Sequence, residues 1–231
     1  MDYLFPPEPA ASVGIVGRSE QFPVRRIYCV GHNYLSHIHE TGRDPDRESP
    51  FFFNKPSDGI VSDGGSLPYP PATASLHHEV ELVVAIEKGG YEISTEAADE
   101  HIFGYAVGID LTRKDLQQVA EDRSLPWTAA KAFDRSAPCG LITPKAECPP
   151  MNAGRIALSV NDRPRQDADL KEMIWSVPEI VSYLSRMFEL KPGDLVFTGT
   201  PAGVGFVLPG DRVTASIEGL APLHIKIEDA D

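Results

Sequence analysis

The chain of 231 residues has only three cysteines, Cys29, Cys139 and Cys148. An odd number with no pair spacing excludes a disulfide framework and a cysteine-based zinc site, and reads as reduced thiols. No apolar run reaches the roughly 18 residues that a membrane span needs. The opening MDYLFPPEPAA lacks a basic region followed by an apolar one, so no secretory leader is expected and a cytoplasmic location is. Positive charge is scarce: 21 Lys and Arg stand against 34 Asp and Glu, a formal net charge of −13. That balance argues against nucleic acid and anionic membranes as partners. No internal repeat, low-complexity tract or domain boundary is visible. With 42% apolar and 24% charged residues, the composition is that of a globular chain long enough to bury a sizeable core.

Short strands dominate what is there. Residues 1–24 read as an irregular, proline-bearing arm. Ile27–Gly31 is a short apolar strand, and Asn33 opens an expected helix, NYLSHIHE. Residues 42–50 are a charged loop, Phe51–Pro56 is strand-like, and 62–75 is rich in turn residues. In Glu79–Ile86 the aliphatic side chains of Val80, Leu82, Val84 and Ile86 share one face. Phe103–Asp110 is a second buried strand, followed by a helix over Arg113–Asp122. Ile156–Val160 and the turn at Asn161 predict a hairpin. The clearest helix is 177–189, with apolar residues at helical spacing, an S-x-x-E capping box from Ser176 to Glu179, and Pro178 in its first turn. Asp194–Thr198, Arg212–Ile217 and Leu223–Ile227 are closing strands. The pattern predicts an α+β, mostly β, roll or barrel-like core with a few short helices.

Two constellations carry chemistry. Glu79 and Glu81 leave the same face of a strand, their Cα atoms ~6.5–7 Å apart at ~3.3 Å rise per residue. Taken alone, such a pair also suits a solvated strand face. The aliphatic opposite face and Asp110 at the exit of a second apolar strand point instead to a hard-cation site for Mg²⁺, Mn²⁺ or Ca²⁺. The adjacent His77 and His78 leave a mixed histidine–carboxylate site open. His37 and Glu40, at i, i+3 on the expected helix, are neighbours on one face. A carboxylate there raises imidazole basicity, as activation of water requires; alone, the pair also suits a helix surface.

Five segments then occur in order: VGHNYLSHIHE from Val30, HEVEL from His78, GIDLTRKDLQ from Gly108, WTAAKAF from Trp127 and PGDLVFTGTPAGV from Pro192. Together they resemble the fumarylacetoacetate hydrolase family from about Arg25 to the C-terminus. The runs RIYCVG, PFFFNKP and MIWSVPEI are similar to the branch that acts on fumarylpyruvate in gentisate-type aromatic degradation.

The resemblance implies a mixed β-sandwich roll over 25–231, a homodimer, and one Mg²⁺ or Mn²⁺ on Glu79, Glu81 and Asp110. It implies His37, oriented by Glu40, as the water-activating base. Lys131 and Gln117 match positions that stabilise an oxyanion. Thr200 matches a substrate-contacting hydroxyl, and Lys55 a cation near the substrate or a lid. Lys114 stands where many relatives have Arg and lacks the planar fork, which leaves its oxyanion role open. His32 replaces the Arg of some relatives. The implied reaction is hydrolysis of the C3–C4 bond of a 2,4-diketo acid. Decarboxylation of oxaloacetate, hydrolysis of other acylpyruvates and isomerisation of a hydroxy-dienoate are alternatives, and so is a divalent-metal or dicarboxylate binding module without turnover. A distal substrate carboxylate has Arg25, Arg43, Arg47 and Arg123 as candidate partners.

Overall fold

A computed structural model describes residues 3–34 and 49–230. His37, Glu40, Arg43 and Arg47 lie outside the described residues, as does the expected helix beyond Tyr34. Asn33 and Tyr34 themselves are not helical: Tyr34 forms an antiparallel bridge to Met173.

The order of the principal sheet follows from which segments can be covered on both faces. Its seven-strand path runs Phe51–Lys55, Arg26–Gly31, Asp194–Phe197, Val80–Ile86, Ile102–Ile109, Ala137–Cys139, Ile60–Ser62, and Thr143–Pro144 pairs with Ile102–Ile109 beside it. The ladder is mixed: Asp194–Phe197 runs parallel to Arg26–Gly31 and antiparallel to Val80–Ile86. A second sheet runs Arg163–Asp169, Arg155–Val160, Arg212–Ile217, Leu223–Glu228, Ser66–Pro68. The protein is therefore mostly β, with a few short helices.

Val80–Ile86 is buried at all seven positions. Val80, Leu82, Val84 and Ile86 enter one core with Leu158, Val213 and Ile225 of the second sheet. Val83 and Ala85 enter another with Val13, Phe22 and Phe197. A strand in the middle of a sheet covered on both sides has no solvent face. Glu81 therefore shares a buried face with Val83 and Ala85, and its charge must be compensated inside the protein.

The start of the chain is more regular than expected. Ser12–Gly14 and Gln21–Pro23 form an antiparallel pair, because Val13, Ile15, Phe22 and Val24 supply an apolar face that is buried in the second core. The hairpin after Val160 turns through Asn161 and Asp162, both at positive φ (50° and 63°), a conformation these residues tolerate well. The helix Val177–Met187 buries Ile180, Val181 and Leu184. Ser176 N–H and Oγ donate to Glu179 Oε2 at 2.9 and 2.8 Å. It ends short of 189: Phe188 is extended, and its ring packs on Tyr28 at 5.3 Å. Met187, in the last turn of the helix, is 49% exposed.

Candidate metal centre and active site

Register brings the carboxylates together. Val80 pairs with Ile109 and Glu81 with Gly108, so Glu79 and Asp110 meet at the end of the ladder, where Asp110 N–H donates to Glu79 O at 2.8 Å. Glu79, Glu81 and Asp110 each offer an oxygen within 4.8 Å of the others, and all three residues are buried. Burial, then the neighbouring Asp110 and Glu79, push the Glu81 carboxyl well above its ordinary pKa. One backbone donor opposes this: Gly199 N–H reaches Glu81 Oε2 at 2.7 Å.

The turn that supplies this donor is held from two sides. Thr198 N–H and Oγ1 donate to Leu82 O at 3.0 and 2.9 Å. Asn33 Nδ2 donates to Thr198 O at 2.8 Å and to Trp175 O at 3.0 Å, while Asn33 Oδ1 accepts from Trp175 N–H at 2.7 Å. Gly199 has φ 95°, and a Cβ there would come 2.7 Å from that of Asn33. Both conformation and space demand glycine.

Two buried ammonium groups face the carboxylates. Lys131 closes the helical turn Thr128–Lys131. Its Nζ donates to Glu79 Oε2 at 2.9 Å, Asp110 Oδ2 at 2.6 Å and Thr112 Oγ1 at 2.6 Å. Thr112 Oγ1 in turn donates to Glu79 Oε1 at 2.7 Å. Burial opposes the charge on Lys131, but Asp110 and Glu79 outweigh it and hold the ammonium above the usual lysine pKa. In this structure Lys131 is thus the counter-ion of the carboxylate set, with all three protons in use.

Lys55, expected as a cation near the substrate or a lid, lines a groove beside Trp127 and reaches inward to the carboxylates. Its side chain is fully buried and its Nζ lies 2.7 Å from Asp110 Oδ1. It donates to Leu111 O at 3.0 Å and Lys131 O at 2.6 Å. It therefore braces Asp110 and Lys131 from behind, because the strand Phe51–Lys55 ends beneath them. The contact to Asp110 is an ion pair, and among the described residues Oδ1 accepts no hydrogen bond.

Gln117 and Lys114 come together at the start of the helix Lys114–Asp122. Lys114 Nζ donates to Gln117 Oε1 at 2.9 Å, which leaves the Gln117 amide nitrogen as a donor. One small cavity is lined by Glu79, Asp110, Lys114, Gln117, Lys131 and Thr200, with His32, Phe53 and Trp127 as its aromatic wall. His32 takes a left-handed backbone (φ 56°), and its ring lies 5.5 Å from Phe51 and 6.0 Å from Trp127. Beside it a groove of about 670 Å³ runs between Phe51–Pro56 and Leu125–Ala132.

The histidines left open as ligands lie outside the clustered set, each with one ring nitrogen engaged elsewhere. His77 Nε2 lies 3.1 Å from Ser75 Oγ, and His78 Nδ1 lies 3.1 Å from Gln166 Oε1. Burial lowers the His78 pKa to about 4, so its ring is neutral. Among the described residues the clustered ligand set is carboxylate only. Two ammonium groups cannot balance three ionised carboxylates, which drives Glu81 toward its protonated form, and among the described residues Asp110 Oδ1 accepts no hydrogen bond. A hard divalent cation fits that donor set and that deficit.

Spacing did not single out Thr112, Asn33, Gly199 or Gln166. The first three sit inside the GIDLT, GHNY and TGTP runs, which is the signal that could have found them. Gln166 lies in a hairpin of charged residues and offered none.

A family model described as "Fumarylacetoacetate (FAA) hydrolase C-terminal" matches residues 26–228. The chain belongs to the fumarylacetoacetate hydrolase family. It is 41% identical over 192 residues to "Fumarylpyruvate hydrolase" of Ralstonia sp, covering 82% of this chain and all of that one. It is 39% identical over 204 residues to the mitochondrial oxaloacetate tautomerase of Rattus norvegicus, covering 88% and 92%. In structure it is similar to fumarylpyruvate hydrolase from Pseudomonas aeruginosa in complex with Mn²⁺ and pyruvate, with TM-score 0.95 and 50% identity over 99% of this chain and 100% of that one.

Proposed function

We propose that this chain is a cytoplasmic, homodimeric fumarylpyruvate hydrolase of aromatic catabolism, cleaving the C3–C4 bond of the substrate to yield fumarate and pyruvate. The observation that carries the reading is the buried Glu79–Glu81–Asp110 set, of which Glu79 and Asp110 line one cavity with Lys131, Gln117 and Thr200. The Ralstonia and Pseudomonas relatives supply the substrate class.

Glu79, Glu81 and Asp110 would hold one Mg²⁺ or Mn²⁺, which supplies Lewis-acid polarisation of a 2-keto acid. It also offsets the repulsion between an anionic substrate and an acidic protein. Thr200 offers a hydroxyl to the substrate anion. His37, oriented by Glu40, takes a proton from water, and hydroxide adds to the C4 carbonyl. The Gln117 amide nitrogen, aimed by Lys114, donates to the developing oxyanion, where such a bond counts most. Lys131 joins it by exchanging one of its carboxylate contacts for the oxyanion. The C3–C4 bond then breaks, its electron pair stays with C3, and the proton that His37 took from water is returned to C3 to complete pyruvate. The groove beside Trp127, of about 670 Å³, takes the planar unsaturated arm beyond C4.

Oxaloacetate tautomerisation is the second reading, favoured by the Rattus relative. It needs no attacking water. Purified protein supplied with fumarylpyruvate, acetylpyruvate and oxaloacetate separates the two. Equal release of fumarate and pyruvate supports the hydrolase; turnover of oxaloacetate alone overturns it.

A further inference from the structure

Gln166 projects inward from a strand whose neighbouring residues Arg165 and Asp167 are exposed, while its own exposure is 1%. Its amide makes four hydrogen bonds. Nε2 donates to Thr200 Oγ1 at 2.8 Å and to Pro201 O at 3.0 Å. Oε1 accepts from Val80 N–H at 3.0 Å and meets His78 Nδ1 at 3.1 Å. The amide cannot be turned over. A backbone N–H only donates and the Pro201 carbonyl only accepts, so Oε1 must face Val80 and Nε2 must face the turn. The same logic makes His78 Nδ1 the protonated nitrogen.

The consequence reaches the site. A hydroxyl that accepts from an amide nitrogen keeps its own proton for another acceptor. Thr200 lines the same cavity as Glu79, Asp110 and Lys131, and its hydroxyl is already the acceptor toward Gln166. We infer that Gln166 is a positioning residue, which fixes the Thr200 hydroxyl as a hydrogen-bond donor to a carboxylate-bearing ligand in that cavity. It does so while tying the turn to the backbone of Val80, between the two glutamates. The inference rests on the function proposed above only in taking a 2-keto-acid anion as the occupant.

The test is a double-mutant cycle read by pyruvate binding to the Mn²⁺-loaded protein, using titration calorimetry, with thermal midpoints recorded for every variant. Gln166→Glu keeps the shape and the acceptor toward Val80; Gln166→Met removes both donor and acceptor. Either should weaken pyruvate binding at least fivefold when Thr200 is intact, and less than twofold in a Thr200→Val background. Thr200→Ser, which keeps the hydroxyl, should stay sensitive to Gln166. A residue that matters only for packing would shift the thermal midpoint and weaken binding by the same factor in both backgrounds, and that result overturns the inference. So does an unchanged pyruvate affinity in Thr200→Val, a variant that leaves Gln166 in place and does not depend on the Gln166 variants folding. Failure of the hydrolase reading looks different: the wild type would bind pyruvate, the cycle would show coupling, and fumarylpyruvate would not be cleaved.

Discussion

Lys131 Nζ and Asp110 Oδ2 form a fully buried ion pair at 2.6 Å, which places a fixed positive charge against the carboxylates that would hold a divalent cation. The ammonium and the ion compete for the same negative charge, and the first prediction follows from that competition. Lys131→Met should lower the stability of the metal-free protein by about 3–5 kcal/mol, the usual cost of stripping one partner from a buried pair. The same variant should bind Mn²⁺ more tightly, by roughly tenfold or ~1.4 kcal/mol, while losing turnover. Thermal melts with and without Mn²⁺ check this. A metal-induced rise in midpoint no larger than that of the wild type would show that Lys131 does not compete.

Removal of the ion should abolish turnover reversibly. Treatment with EDTA is expected to stop pyruvate release from fumarylpyruvate, and added Mg²⁺ or Mn²⁺ to restore it. Glu81→Ala should lose metal in a direct titration; an unaltered isotherm would remove Glu81 from the ligand set.

His37 lies outside the described residues, so its assignment rests on sequence alone. His37→Ala should keep its Mn²⁺ affinity and lose about 100-fold or more in turnover, the scale of general-base catalysis. Wild-type turnover in this variant would exclude His37 as the base.

Gly199→Ala probes the turn that feeds a backbone N–H to Glu81. The left-handed φ and the 2.7 Å approach to Asn33 should cost about 1–3 kcal/mol in urea unfolding. Metal affinity should fall with it, because the donor to Glu81 moves. A stable variant with unchanged metal binding would show that the turn accommodates a side chain.

The materials of the site were legible in local pattern. Alternation in Glu79–Ile86 put two glutamates on one side of a strand, and the apolar run ending at Asp110 supplied the third carboxylate. Period-two and period-3.6 patterns are local properties, so the central strands, the helix from Val177 and the hairpin at Asn161 were legible. The ends were less so: the helix stops at Met187 because Phe188 turns away to pack on Tyr28. The ordered motifs added roles that spacing cannot assign.

Tertiary structure alone decided the charge balance. Lys131 lies 52 residues from Glu79 in the chain, and nothing local distinguishes it from a solvated lysine. Only the packing of its helical turn onto the ends of the central strands makes it a counter-ion. Lys55 became a buried brace for the same reason: the strand that carries it ends at Asp110 and Lys131. Gln166 looks like one more polar residue in an exposed hairpin until the sheets close and bring Val80 and Thr200 to its amide. Periodicity tells which face of a segment is buried; what that face meets depends on long-range register, and register is a property of the whole fold.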